Sequence, residues 1–376
     1  MRSCLLACVL VIVGVGQAQE VPIPAPPQIG ASGYILMDFT TGELLAESNS
    51  DERLEPASLT KLMTGYVVFK ALDDELISLS DEVYVSEKAW RTGGSRMYIE
   101  VDTHVSVEDL IRGMIIQSGN DASVALAEHV AGSEDSFVDL MNQYASALGM
   151  RNTSYRNSTG LPDDDHFSTA RDSAIIARAI ISEFPHYYGW YSEREFMYND
   201  IKQPNRNNLL WRDSTVDGLK TGYTEAAGYC LVSSAERDGM RLISVVMGTA
   251  STDARLDTSQ ALLNYGFRFF ETRKLFSKGD EVTQARVWKG AVETVSLGVA
   301  EDVFVTARRG NNDALSASAD VQTALLAPIA MNEAVGTVSV LDGDEVKFNM
   351  PLVTLEPVLA GSLWSRMLDE VSLWFE

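Results

Sequence analysis

The chain has 376 residues, 45% of them hydrophobic, and a formal net charge of −23 at pH 7. This length suffices for one large domain or two of ordinary size, each with a packed core. The negative charge excludes proteins that bind nucleic acid through its phosphates, because such binding needs clustered Lys and Arg.

The N-terminus has the pattern of a secretory signal peptide over residues 1–18. Arg2 precedes an apolar run at residues 5–15, and small residues follow at the expected cleavage site. The protein is therefore expected to be exported. Loss of the signal peptide leaves Cys230 as the single cysteine, so a disulfide within the chain is excluded. Cys230 is expected to lie buried in a strand. The proline-rich residues 19–29 are expected to form an extended, mobile tether.

Residues 34–38 and 43–47 are strand-like runs separated by turn residues, and they predict a β-hairpin. Over residues 59–67 the apolar side chains then recur at helical spacing, which predicts an amphipathic helix. Ser58 and Lys61 stand at the start of this helix, three residues apart and therefore on the same face. They can serve as nucleophile and base if burial and a second cation lower the pKa of the lysine. Taken alone, the pattern also fits an ordinary solvated helix start.

A second candidate group lies between two predicted helices. The first helix begins with a capping box, and Asp121 is expected to cap the second helix at residues 122–130. Ser118 and Asn120 therefore lie in a tight turn, which can direct a hydroxyl and an amide into a cleft. The polar residues 152–166 predict a loop that borders this cleft. Taken alone, the turn also fits an interhelical loop without function.

The third group lies on a predicted strand at residues 216–222, and further strand-like runs follow between residues 229 and 247. Lys220 supplies a cation and Thr221 a hydroxyl. Gly222 supplies a position without a side chain, where the backbone of a ligand can lie against the strand. Taken alone, the pattern also fits a hairpin edge with a solvated lysine.

Ser-x-x-Lys, Ser-Gly-Asn and Lys-Thr-Gly occur here in the order found in the penicillin-recognising serine acyltransferases, which the chain resembles. The middle motif and residues 205–207, 216–220 and 265–270 resemble the D-alanyl-D-alanine carboxypeptidases among the low-molecular-mass penicillin-binding proteins (types 5 and 6, peptidase family S11). The resemblance covers essentially the whole chain after the signal peptide. One departure is Tyr223, which stands where some members have histidine.

The resemblance implies an α/β (α+β) fold. A β-lactamase/transpeptidase-like catalytic domain, with an antiparallel sheet flanked by helices, is expected over residues 30–270. A small all-β sandwich is expected over residues 271–360, where five strand-like runs occur at intervals typical of a sandwich. A C-terminal amphipathic helix is expected over residues 361–376. The five runs are residues 282–288, 293–297, 302–307, 335–341 and 345–348.

The resemblance also implies an activity, the removal of the terminal D-alanine from peptidoglycan stem peptides in peptidoglycan biosynthesis and the maintenance of cell shape. Ser58 would attack the carbonyl of the penultimate D-alanine with Lys61 as its base and form an acyl-enzyme, and Ser118 would pass a proton to the leaving amine. The backbone N–H groups of Ser58 and Tyr223 would form the oxyanion hole. No cofactor is implied, and the four histidines have no metal-binding spacing.

Substrate binding is implied in the same way. Lys220 would lower the pKa of Lys61 electrostatically and, with Thr221 and Arg255, receive the free carboxylate of the substrate. Asn120 would orient the substrate, and β-lactams would act as covalent inhibitors. Arg255 is assigned only by its position after the last predicted strand of the sheet.

Two alternative functions share some of these features. A β-lactamase carries all three motifs but needs a glutamate in a Glu-x-x-Leu-Asn loop, where this sequence offers only the acidic residues 163–165. A non-catalytic peptidoglycan-binding protein is expected to lack part of the motif set, and none of it is missing here.

The C-terminal residues 362–376 predict a helix that is too short to span a membrane and lies in its interface. Relatives carry such an anchor, so the protein is expected at the periplasmic face of the bacterial inner membrane, as a peripheral protein. Arg366 is the only basic residue of the segment, so apolar burial is expected to hold it. The alternative is a helix packed on the β domain. The apolar residues are Leu363, Trp364, Met367, Leu368, Val371, Trp374 and Phe375.

Overall fold

In a computed structural model the chain is described over residues 23–310, 315–322, 324–343 and 345–372. The predicted signal peptide, Trp374 and Phe375 lie outside these residues. The strands of the first part of the chain are β1 (Gly33–Asp38), β2 (Leu44–Ser48), β3 (Glu82–Tyr84), β4 (His104–Ser106), β5 (Glu195–Tyr198), β6 (Ile201–Pro204), β7 (Val216–Thr224), β8 (Gly228–Arg237) and β9 (Met240–Thr249). Its helices are α1 (Lys61–Asp73), α2 (Glu87–Arg91), α3 (Val107–Arg112), α4 (Asn120–Ala131), α5 (Glu134–Ala147), α6 (Ala170–Glu183), α7 (Pro185–Tyr188), α8 (Leu209–Arg212) and α9 (Thr252–Phe269).

The central sheet has the strand order β2, β1, β9, β8, β7, and every neighbouring pair is antiparallel. The predicted hairpin of β1 and β2 is present. β8 turns into β9 through Asp238 and Gly239, whose positive φ angles suit a tight turn. Cys230 is buried in β8, as predicted. β7 forms one edge of the sheet and places Lys220 opposite Val232 of β8.

Helix α1 is buried almost all round, because it packs against α4, α5 and α6. The polar side chains of Lys61 and Thr64 are buried as well, where the carbonyl oxygens of Thr159 and Ser158 accept their hydrogen bonds. The prediction of an amphipathic helix is therefore wrong, since the loop around residues 152–168 covers the side that was expected to face solvent.

The turn at Ser118 is present, but Asp121 does not cap the helix that follows. The π-helical residues Gly113–Gln117 lead to Ser118, which has a left-handed φ of +65°, and α4 begins at Asn120. Asp121 lies inside the first turn of α4, where its carboxylate accepts the Ala122 N–H at 2.9 Å and also the backbone N–H groups of Met97 and Tyr98. This residue therefore anchors the neighbouring loop to the start of α4.

The proline-rich lead-in has no regular secondary structure over residues 23–29 and is not a free tether. Ile23 and Ile29 pack against the apolar cluster between the sheet and α9, and the Tyr265 hydroxyl donates to the Pro24 carbonyl oxygen at 3.1 Å. The prediction of a mobile tether is wrong for these residues, because their apolar side chains have a surface to bury against.

The second part of the chain is an all-β unit with its own apolar core. Its strands are β10 (Phe270–Phe276), β11 (Glu281–Trp288), β12 (Thr294–Gly298), β13 (Val303–Arg308), β14 (Leu315–Val321), β15 (Leu325–Leu326), β16 (Ala334–Asp342) and β17 (Glu345–Thr354). One sheet has the order β14, β16, β17, β12, β11, β15, and β10 pairs with β13. The predicted fold class is confirmed, and each of the five predicted runs overlaps a strand, two of them beginning one residue before it. The sequence analysis misses β10, β14 and β15, because polar and charged residues interrupt the first two and β15 is only two residues long.

The two parts meet at Asp38, the last residue of β1. Its fully buried carboxylate accepts hydrogen bonds from the Thr272 and Thr306 hydroxyls at 2.6 and 2.9 Å. Beside it, the Lys347 ammonium lies 3.4 Å from the Glu43 carboxylate. A buried carboxylate therefore joins the central sheet to β10 and β13.

The predicted C-terminal helix is present as α10 (Leu363–Ser372). Asp369 accepts the backbone N–H of Lys289, and Glu370 pairs with the Lys289 ammonium, so the acidic side of α10 faces the β unit. Its apolar side chains are 61% to 78% exposed. No helix within the described ranges combines the length and the apolar character needed to cross a membrane. The exposed apolar residues are Leu363, Trp364, Met367, Leu368 and Val371.

Candidate active site

Ser58 lies in a single 3-10 turn, residues 57–60, that leads directly into α1 and is called the serine turn below. Ala57 has a left-handed φ of +46°, which costs a non-glycine residue roughly 1–2 kcal/mol. β7 approaches the serine turn so closely that a Cβ atom on Gly222 would lie 2.9 Å from the Pro56 carbonyl oxygen. Gly222 therefore makes room for the serine turn, which corrects the expectation that it makes room for a ligand.

Lys61 is only 1% exposed and has three oxygen atoms around its amino group. Its Nζ lies 3.0 Å from the Ser58 Oγ, 2.7 Å from the Asn120 Oδ1 and 2.6 Å from the Thr159 carbonyl oxygen. The amide and carbonyl oxygens only accept hydrogen bonds, whereas a hydroxyl can also donate. A neutral lysine has two N–H bonds and one lone pair. When it donates to Asn120 and Thr159, its lone pair is left for the Ser58 hydroxyl.

Burial lowers the pKa of Lys61 to about 7, against the opposing effect of Asp121, and the positive charge of Arg206 lowers it further. Burial is therefore the main cause, and Arg206 is a cation to which the sequence analysis gave no role, whereas the expected effect of Lys220 on Lys61 stays a prediction. Burial also holds the pKa of Lys220 well below its ordinary value, with contributions from Lys61, Arg206 and Arg255. The site thus gathers several basic side chains in a buried region, which favours the neutral form of the lysines.

Ser118 and Asn120 bring the turn before α4 to the two lysines. The Ser118 Oγ accepts a hydrogen bond from the Lys220 Nζ at 2.8 Å. The Asn120 amide accepts from Lys61 and donates through Nδ2 to the Gly93 carbonyl oxygen at 2.7 Å, which fixes its orientation. The predicted members of the first two motifs therefore converge around the lysine pair.

Lys220 and Thr221 are buried on β7, next to Arg255 in the first turn of α9. The Arg255 Nη1 donates to the Gly222 carbonyl oxygen at 3.4 Å, and its guanidinium carbon lies 5.7 Å from the centre of the Tyr229 ring. The Arg255 Nε is buried and has no hydrogen-bond partner among the described residues. A buried guanidinium N–H without a partner, beside a second cation, suits a carboxylate ligand.

Tyr223 carries its side chain out of the site. The side chain is 52% exposed, and its ring centre lies 4.4 Å from that of Tyr229. Its backbone follows Gly222, where a Cβ atom would lie 3.3 Å from the Ser58 backbone nitrogen. The chain segments that carry the two expected oxyanion-hole amides are therefore in contact.

Three groups at the site lie outside the motifs: the Thr159 carbonyl, Arg206 and His166. A backbone carbonyl leaves no signal in the sequence. Arg206 lies in the stretch 205–207 that contributed to the resemblance, but its charge had no assigned role. His166 contacts the serine turn through Thr60. No three His, Cys, Asp or Glu side chains converge as metal ligands within the described part of the chain.

Comparisons relate the chain to known proteins. The profile of D-alanyl-D-alanine carboxypeptidase matches residues 20–251, and that of the penicillin-binding protein 5 C-terminal domain matches residues 270–359. D-alanyl-D-alanine carboxypeptidase DacA of Escherichia coli (strain K12) is 44% identical over 362 residues, 94% of this chain and 90% of that protein. The crystal structure of penicillin binding protein 5 from Haemophilus influenzae covers 89% of this chain and 99% of its own, with a TM-score of 0.85 and 43% identity. Penicillin-Binding Protein D2 from Listeria monocytogenes in the ampicillin-bound form covers 65% and 100%, with a TM-score of 0.60 and 31% identity.

Proposed function

Since the chain belongs to the family of D-alanyl-D-alanine carboxypeptidases and is a penicillin-binding serine hydrolase of peptidoglycan metabolism, we propose that Ser58, Lys61 and Ser118 carry out its reaction. The supporting observation is the set of three oxygens around the Lys61 Nζ. Only the Ser58 oxygen among them can give up a proton. The lysine is therefore a base with one possible target.

The Ser58 Oγ attacks the carbonyl carbon of the penultimate D-alanine, and its proton passes to the Lys61 Nζ. Ser118, held by Lys220, gives its hydroxyl proton to the nitrogen of the terminal D-alanine as the C–N bond breaks and takes the proton of Lys61 in return. The proton lost by Ser58 thus ends on the leaving amine, and Lys61 is neutral again. Water then hydrolyses the ester with Lys61 again as the base. The products are free D-alanine and the shortened stem peptide.

The carboxylate of the terminal D-alanine binds at Lys220, Thr221 and Arg255, where the unpartnered Arg255 Nε supports this assignment. The backbone N–H groups of Ser58 and Tyr223 hold the carbonyl oxygen as it gains charge, and such donors typically lower a barrier by about 3 kcal/mol each. Asn120 holds Lys61 through its Oδ1, is itself held by the Gly93 carbonyl oxygen, and orients the substrate beside Lys61.

The test compares the parent enzyme with Ser58→Ala and Lys61→Arg in two assays, D-alanine release from a D-Ala-D-Ala peptide and labelling by a fluorescent penicillin. Both variants are expected to lose both activities while staying folded, because guanidinium cannot act as a base near neutral pH. Labelling of Ser58→Ala, or labelling of Lys61→Arg at the parent rate, overturns the assignment.

The β-lactamase alternative predicts rapid loss of the penicilloyl group, whereas we propose a persistent one. Among the described residues no carboxylate hydrogen-bonds to Ser58, and Asp163, Asp164 and Asp165 are exposed on their loop. The glutamate that the β-lactamase alternative needs to activate water therefore has no counterpart beside Ser58 in this part of the chain. Mass spectrometry after mixing with penicillin follows the adduct, and turnover of many penicillin equivalents within minutes would favour the alternative.

We also propose that the protein is exported and lies on the periplasmic face of the inner membrane, held there by α10. The exposed apolar row of α10 supports this location. The acidic residues Asp369 and Glu370 are turned to Lys289, away from that row, so they do not oppose contact with lipid. Ten helical residues extend over about 15 Å, so the helix lies along the surface.

A further inference from the structure

The loop at residues 152–168 covers the start of α1 and contacts it at several points. The Ser158 carbonyl oxygen accepts the Thr64 hydroxyl at 2.6 Å, and the Thr159 carbonyl oxygen accepts the Lys61 amino group at 2.6 Å. Gly160 has a φ of +83°, and a Cβ atom there would lie 1.8 Å from the Ala57 carbonyl oxygen. The loop is therefore fitted closely against the serine turn.

His166 is a buried titratable side chain of this loop. It is 3% exposed, its Nε2 lies 2.8 Å from the Thr60 Oγ1, and its Nδ1 accepts the Arg156 backbone N–H at 3.1 Å. Because Nδ1 accepts, the neutral imidazole carries its proton on Nε2 and donates to the threonine hydroxyl. The Tyr155 ring meets the imidazole edge-on at 5.7 Å and leaves it little freedom to rotate.

Thr60 is the point through which this contact can affect the reaction. It is fully buried and is the last residue of the 3-10 turn that carries Ser58, directly before Lys61. A hydrogen bond to its side chain fixes the junction between that turn and α1, and hence the distance from the Ser58 Oγ to the Lys61 Nζ.

We propose that His166 is a positioning residue, which holds the serine turn through Thr60 so that Ser58 and Lys61 keep their reactive geometry. The inference rests on the proposed function of those two residues. His166 touches no substrate group and lies across Thr60 from the reacting atoms. It should therefore affect the rate of acylation and leave recognition of the D-alanine carboxylate at Lys220 and Arg255 unchanged.

Two near-isosteric variants separate the two hydrogen bonds of the ring. His166→Asn retains an acceptor for the Arg156 N–H and loses the bond to Thr60, whereas His166→Gln reaches Thr60 and loses the bond to Arg156. We expect His166→Asn to acylate with fluorescent penicillin roughly tenfold more slowly, because small displacements of reacting groups cost rate steeply. His166→Gln should stay within about twofold of the parent rate, since it retains the contact that matters.

Thr60→Val removes the hydroxyl at nearly constant volume and should reproduce the loss seen in His166→Asn. The double variant should lose no more than either single one, because both remove the same contact. In D-alanine release, kcat should fall while KM stays at the parent value. The control is Asp164→Asn, an exposed residue on the same loop, which should react at the parent rate.

Three outcomes would each overturn the inference. His166→Asn could acylate at the parent rate, the losses of acylation rate could add in the double variant, or His166→Asn and His166→Gln could lose the same rate. The last outcome would mean that the ring only stabilises the loop, and a matching fall in melting temperature would accompany it. Labelling of Ser58→Ala would instead overturn the proposed function itself. An unlabelled Ser58→Ala together with a fully active His166→Asn would refute only the positioning role.

Discussion

Lys61 makes acylation depend on pH, because only its neutral form can take the proton of Ser58. With a pKa of about 7, its neutral fraction rises as the pH increases through 7. We therefore expect labelling by fluorescent penicillin to be about tenfold slower at pH 6 than on the plateau above pH 8. Stopped-flow measurement of the second-order rate constant tests this. A flat profile, with the fold intact by circular dichroism at every pH, would contradict a lysine base.

The position of Arg255 leads to a prediction about substrate affinity. Arg255→Gln removes one of the cations around the proposed carboxylate position, so KM for a D-Ala-D-Ala peptide should rise roughly tenfold to a hundredfold. Turnover at saturation should change much less, because the guanidinium binds the carboxylate in the ground state and in the transition state alike. The control is Arg268→Gln, an exposed residue at the far end of the same helix. An unchanged KM would remove Arg255 from the carboxylate site.

At the scale of elements, the contact between β7 and the serine turn sets the geometry of the site. A Cβ atom on Gly222 would meet backbone atoms of Pro56 and Ser58, which cannot move aside as a flexible side chain can. Gly222→Ala should therefore push the strand edge away from the turn and slow acylation by roughly a hundredfold. Glu225→Ala, in the exposed turn after β7, is the control. Parent rates in Gly222→Ala would show that this contact does not matter.

The same elements show how far the sequence could predict the site. Spacing alone placed Ser58 beside Lys61, because residues three apart on a helix share a face. The contacts that complete the site join residues far apart in the chain: Lys61 meets the Thr159 carbonyl across 98 positions, and Thr60 meets His166 across 106. Local periodicity carries no information about such contacts, and a backbone carbonyl has no residue type to recognise. The sequence analysis predicted Asp121 as a helix cap and missed its bonds to the loop, because a carboxylate near the start of a helix can accept N–H groups from either.

At the scale of the whole molecule, α10 connects the enzyme to its surroundings. Deleting residues 362–376 should move the protein from the membrane fraction to the soluble fraction and leave D-alanine release intact, because the exposed apolar row is lost and the catalytic core is not touched. High salt alone should leave the full-length protein on the membrane, since apolar burial and not charge holds it. Fractionation followed by penicillin labelling measures both. Release by salt would refute the anchor, as would misfolding of the shortened chain.

The prediction of two folded parts followed from two kinds of signal, the motifs in the first part and the regularly spaced strand-like runs in the second. The junction between them was not predictable, because Asp38 reads as an ordinary residue at the end of a strand. Only the structure shows that its buried carboxylate accepts hydroxyls from Thr272 and Thr306, more than 200 positions away. The lead-in was misjudged for a similar reason, since Tyr265 and the cluster that receives Ile23 lie far along the chain.

The buried amino group of Lys61 also affects the stability of the folded chain. Its pKa falls from 10.5 to about 7 on folding, so the unfolded chain binds more protons between these values. The free energy of unfolding should therefore rise with pH across that interval, and near neutral pH the fold is less stable by several kcal/mol than it would be without this shift. The lowered pKa that lets Lys61 act as a base thus reduces the stability of the fold, so this amino group increases activity at the expense of stability.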